Sequence, residues 1–143
     1  MKIKPILGFI FIAVVIVLLI IGQQLLFRKI TLPPIQTIKK IAIFSGKANW
    51  KLSKTKIMDP IEISEIYEFM RKKRYGWEQL TWTPRPSDIT ASFSSQKEEL
   101  FEISLDESTC FFKDAQGVLL HRFSQTELFD LYSLLGVRFL NQN

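Results

Sequence analysis

The stretch ITASFSSQKEELFEISLDESTCFFKDAQGVLLHRF, residues 89–123, decides the fold. Ile89, Ala91 and Phe93 alternate with Thr90 and Ser92. Phe101, Ile103 and Leu105 alternate with Glu102 and Ser104. Side chains along a strand point to opposite faces in turn, so this period of two predicts half-buried strands. The polar residues Ser95 to Glu99 suit a hairpin loop. The runs Thr109–Lys113 and Val118–Phe123 are separated by Asp114-Ala115-Gln116-Gly117, a turn that places glycine where positive φ is cheap. Upstream, Trp77–Thr83 reads as another strand, closed by Pro84-Arg85-Pro86. The block from 77 to 123 is therefore expected to be an antiparallel meander.

Helices flank this block on both sides. Asp59 is a good N-cap, Pro60 occupies the first helical position, and Glu62 follows the cap by three residues. Ile63, Ile66, Tyr67 and Met70 then form one stripe, with Phe69 beside it. Acidic residues lead this helix, and Arg71, Lys72, Lys73 and Arg74 end it before Gly76, the order the macrodipole favours. Ser124 and Glu127 spell a capping box for the second helix. Its stripe is Leu128, Leu131, Tyr132 and Leu135, stopped by Gly136, with Val137–Asn143 as a short tail. Towards the N-terminus, Ile38–Phe44 and Trp50–Ile57 alternate and suit a hairpin turning at Gly46–Asn49. The expected domain, residues 38–143, is α+β: two amphipathic helices over a mostly antiparallel sheet.

Ahead of it lies PILGFIFIAVVIVLLIIGQQLLF, residues 5–27, which contains no charged residue. As a helix of ~1.5 Å rise per residue, it would match a hydrocarbon core about 30 Å thick. The run lacks a small-x-small processing site, so it reads as an uncleaved signal-anchor rather than a cleaved signal peptide. On that reading residues 1–30 are a cytoplasmic tip and one transmembrane helix, touching the lipid bilayer through residues 5–27. Residues 31–37, with Pro33-Pro34, are a stiff linker. The domain would lie outside the cytoplasm at the cell membrane.

The net charge of +5 resembles a nucleic-acid signal. Lys2, Lys4, Arg28 and Lys29 flank the apolar run, however, and the rest of the chain is nearly neutral. No nucleic-acid partner is expected. Within the domain, residues 39–85 are basic on balance and residues 86–143 acidic. A basic patch would follow if residues 39–56 and 71–74 met in space.

Motifs for chemistry are sparse. A general base needs a nucleophile and an orienting group, and the lone His121 has neither within its own strand. Cys110 alternates with Phe112 on an apolar strand and reads as a small core residue. The sequence shows no metal-ligand spacing and no phosphate-binding or dinucleotide motif, and no cofactor is expected. Aromatics are more informative. Arg74, Trp77, Trp82 and Arg85 cluster along the chain, and Trp and Arg are frequent interface anchors. These four form the candidate binding face. The functional expectation is a non-enzymatic module that binds a protein partner or serves as an accessory or inhibitory subunit. The alternative is a small enzyme using carboxylates or His121.

Overall fold

The computed structural model describes residues 4–47, 50–82, 84 and 86–139. The chain opens with α1 (Lys4–Leu26), which passes directly into the short strand β1 (Phe27–Arg28). A single 3-10 turn at Ile35–Thr37 precedes β2 (Lys40–Ser45), β3 (Trp50–Leu52) and β4 (Lys56–Ile57). Helix α2 (Pro60–Lys72) leads into β5 (Trp77–Gln79). Then come β6 (Ile89–Ser94), β7 (Glu99–Asp106), β8 (Thr109–Asp114) and β9 (Gly117–Arg122). Helix α3 (Gln125–Leu134) and β10 (Val137–Phe139) complete the described chain.

Eight strands form one antiparallel sheet in the order β1-β5-β9-β8-β7-β6-β2-β4, and β10 pairs with β3 apart from it. The alternation in 89–123 sets the register. Ile43, Ala91, Ile103, Phe112 and Leu119 face one another in successive strands. That row, with the neighbouring Phe93 and Phe101, makes the inner face. The rings of Phe93 and Phe101 stack at 4.2 Å and those of Phe101 and Phe112 at 5.1 Å. Helices α2 and α3 cover this face with Ile63, Ile66, Met70, Leu128 and Leu131, all in the same buried cluster. Each such side chain removed from water contributes about 1.5–3 kcal/mol, which is why the amphipathic stripes dock here. The fold is α+β, with a large antiparallel sheet and three helices.

The transmembrane part of the expected fold is corrected. Among the described residues no helix is long and apolar enough to cross a membrane. The side chains described in α1 run from Gly8 to Gly22. The expected transmembrane segment was residues 5–27, and its last residue, Phe27, is strand, paired with Glu78. The membrane placement with its cytoplasmic N-terminus rested on that span and falls with it. The described part of α1 is apolar all round, and Phe9, Phe11, Leu18 and Leu19 are exposed.

Three local differences have physical causes. Phe27 and Arg28 pair with Glu78 and Trp77, so the end of the apolar run is sheet. The backbone N–H of buried Ile30 donates to the Arg74 carbonyl at 2.9 Å and continues that pairing. Trp50–Ile57 is not one strand but breaks between Leu52 and Lys56. Ile57 stays beside Ile41, whereas Leu52 turns away to pair with Val137. The expected turn at Gly46–Asn49 falls partly outside the described residues, at positions 48 and 49. The strand expected over Trp77–Thr83 stops at Gln79, and Leu80 N–H adds one further bond to the Val118 carbonyl at 3.0 Å.

Candidate functional site

Helix α2 starts where its capping residues direct. Asp59 Oδ1 accepts the Ile61 N–H at 2.8 Å, with Pro60 at the start of the helix. With Ile63, Ile66 and Met70 turned to the sheet, the helical period leaves Ile61, Glu65, Glu68 and Lys72 on the outer side. Helix α3 begins with a complete capping box. Ser124 Oγ accepts the Glu127 N–H at 3.3 Å, and Glu127 Oε2 accepts the Ser124 N–H at 2.8 Å. Leu128 and Leu131 go to the core, which leaves Phe129, Asp130 and Ser133 outward.

One contact locks the two helices together. The Lys73 ammonium at the C-cap of α2 meets Glu127 Oε1 at the first turn of α3. That hydrogen bond is the main reason the Glu127 carboxyl is pulled down to about 2, helped by the Ser124 backbone N–H. The Lys73 carbonyl also accepts Trp77 Nε1–H at 2.7 Å. One residue thus joins α2, α3 and β5.

Between the helices runs an open groove of about 790 Å³. Ile61, Phe69, Phe129 and Leu134 supply its apolar lining. Glu65, Glu68 and Asp130 line it too, with Lys72 as the cation among them. Ile61 is 70% exposed and Phe129 69%. Phe69 is half-buried and fixed edge-on to Phe123 at 5.7 Å. Glu68 is held low in pKa by a two-oxygen contact with Arg71 Nε at 2.9 and 3.0 Å. This concave surface presents large apolar side chains to solvent, with carboxylates about it.

Of the four residues picked from the sequence, the three described do not share one exposed face. Trp77 is fully buried, packed against Phe112 at 6.0 Å and Phe123 at 6.2 Å. Trp82 is exposed beyond the end of β5. Arg74 is half-buried, its guanidinium 4.9 Å over the Tyr75 ring. Arg85 lies outside the described residues. The alternative site at His121 is a packed ring. Its Nδ1 is 2.8 Å from the Gly76 carbonyl, and Trp77 and Phe123 lie 5.2 and 4.9 Å from it. Cys110 is fully buried, and burial raises its thiol pKa. Among the described residues no group of three or more His, Cys, Asp or Glu could hold a metal ion.

The basic stretches are distributed rather than pooled. Lys47 pairs with Asp88, Lys54 with Glu62 at 2.7 Å, Arg71 with Glu68 at 2.7 Å, and Lys73 with Glu127. Sequence reasoning missed the groove. A signal existed: Ile61 and Phe129 are large apolar residues off the stripes of their own amphipathic helices, which is how an exposed anchor reads along a chain. The groove itself needs the two helices placed side by side, and sequence periodicity does not supply that. Compared with known proteins, the chain matches no family model, no curated protein and no solved structure.

Proposed function

We propose that this chain is a non-enzymatic module that binds a protein partner through the α2–α3 groove. The occupant is an apolar segment of that partner flanked by Lys or Arg. The observation that carries the reading is the exposure of Ile61 and Phe129 on a groove lined by Phe69 and Leu134. Exposed concave apolar patches bordered by polar groups mark interaction sites. Covering either side chain contributes about 1.5–3 kcal/mol. The occupant's charge follows from Glu65 and Asp130, which outnumber Lys72 along the lining, Glu68 being paired with Arg71. Complementary charge steers encounter and rejects like-charged partners. The bound segment would lie along the groove as an amphipathic helix lies in a hydrophobic groove. An accessory or inhibitory subunit needs this and no chemistry of its own.

The test uses the purified full-length chain and two synthetic amphipathic peptides of equal length, one built of Leu and Lys and one of Leu and Glu. The Leu/Lys peptide should bind saturably and at least tenfold more tightly than the Leu/Glu peptide. Equal affinity for both would show that the carboxylates do not select the occupant, and binding of neither would show that the groove is not the binding surface.

A further inference from the structure

A second concave site lies at the far edge of the sheet, where β1 and β5 meet the β8–β9 turn. The cleft is small, about 50 Å³. That is a few times the ~10–15 Å³ one water needs, so it has room for a small tetrahedral ion. Its lining is polar and donor-rich: Arg28, Lys29, Gln79, Gln116 and Gly117 contribute, and Asp114 is the carboxylate among them.

The sheet order puts these residues together. Arg28 stands opposite Trp77, and Gln79 opposite Leu119. Asp114 and Gly117 face each other across the turn. Asp114 Oδ1 already accepts the Gln116 N–H at 2.8 Å. Gln79 Nε2 has one long contact, 3.4 Å to the Val118 carbonyl, which leaves its second N–H available. Gly117 sits at φ +136, and a Cβ there would come within 3.4 Å of Gln79 Nε2, so the turn and the amide approach closely.

Charge makes the cleft more than a water pocket. Arg28 and Lys29 have no ion pair among the described residues, so neither lining cation is already neutralised. Lys29 instead places its ammonium 5.5 Å over the Tyr75 ring, on whose face Arg74 also sits. An oxyanion in the cleft would meet the charge of both lining cations while accepting the free N–H of Gln79.

We propose that this cleft binds a small oxyanion of the phosphate class, either free or as the terminal group of a phosphate monoester. Arg28 and Lys29 supply the charge, and the second N–H of the Gln79 amide supplies orientation. The site is separate from the α2–α3 groove and does not depend on what occupies that groove.

The experiment titrates the full-length chain with inorganic phosphate and, in a parallel arm, with O-phosphoserine, at constant ionic strength. Thermal stability and the Gln79 and Gln116 side-chain amide signals are followed. A ligand that binds the folded state alone raises its stability in proportion to RT ln(1 + [L]/Kd). The wild-type response should saturate in at least one arm, and the tighter arm says whether the free or esterified anion is the natural form. In R28Q/K29Q binding should weaken at least tenfold. In K39Q/K97Q, which removes the same charge from two exposed positions, it should be unchanged. Because Arg28 and Lys29 are exposed, their loss leaves the core intact. A response that never saturates in the wild type, or that is equal in the two double variants, overturns the proposal.

Discussion

The Lys73 ammonium and the Glu127 carboxylate meet 54 residues apart in sequence, at the end of one helix and the start of the other. Each is at its favourable pole: a cation at the C-terminus of α2 and an anion at the N-terminus of α3. The pair bridges the two helices that line the groove.

Acid should loosen this junction. Glu127 has a folded pKa of about 2 against an ordinary 4.5. Between those values the unfolded chain takes up a proton that the folded chain refuses. The contribution of Glu127 is therefore full above pH 4.5 and lost as pH falls through about 2. In E127Q, stability at neutral pH should drop by roughly 0.5–1 kcal/mol, the scale of a partly exposed ion pair, because glutamine keeps the capping box with Ser124. The acid slope attributed to Glu127 should vanish. Urea unfolding at a series of pH values checks both, and an unchanged slope would contradict the assignment.

The two tryptophans after α2 should behave differently. Trp77 is wholly buried and Trp82 is 58% exposed. Trp77→Ala should cost on the order of 3–5 kcal/mol, as for other buried aromatics. Trp82→Ala should change stability by less than about 0.5 kcal/mol. Trp77→Phe removes the bond to the Lys73 carbonyl at 2.7 Å together with part of the buried ring, and should cost more than the ~1 kcal/mol of the bond yet less than Trp77→Ala. Chemical denaturation of the three variants decides, and equal losses at 77 and 82 would contradict the placement.

Cys110 should be silent while the domain is folded. Its burial holds the thiol protonated, and the thiolate is the reactive form. A soluble disulfide reagent should label it only as fast as the domain opens, and urea should accelerate labelling. Rapid labelling in native buffer would show that β8 is not where it is described.

Gly136, at φ +68, turns the chain between α3 and β10. A Cβ there would fall 2.4 Å from Ser53 Oγ, whose hydroxyl donates to the Gly136 carbonyl at 2.7 Å. Gly136→Ala should therefore cost about 1 kcal/mol or more through the left-handed backbone alone. It should also loosen the β3–β10 pair. Amide exchange at Ser53 and Leu52 reports that loosening, and unchanged protection would contradict it.

Much of the fold was legible because its signals are local. Asp59-Pro60 and Ser124…Glu127 announce helix starts through side-chain geometry that depends on three or four residues. The period-two runs of 89–123 carry their own facing. What the sequence hid is non-local. β10 has three residues, too few for a pattern, and exists because Leu52 and Val137 pair at a distance. Phe27 and Arg28 look like the end of an apolar run until Glu78 and Trp77 lie beside them. Trp77 reads as an interface anchor by composition, yet the hydrogen bond to the Lys73 carbonyl satisfies its indole and lets it be buried. The groove was hidden for the same reason, since Ile61 and Phe129 are 68 positions apart and become one surface when α2 and α3 dock.

Backbone amide shifts followed as the Leu/Lys peptide is titrated into the full-length chain, alongside Phe129→Gln, test binding in the α2–α3 groove most directly. Shifts should concentrate at Ile61, Ser64, Phe69, Phe129 and Ser133, and affinity should be at least tenfold weaker in F129Q with the fold retained. Shifts elsewhere, or undiminished affinity in a folded F129Q, would contradict groove binding.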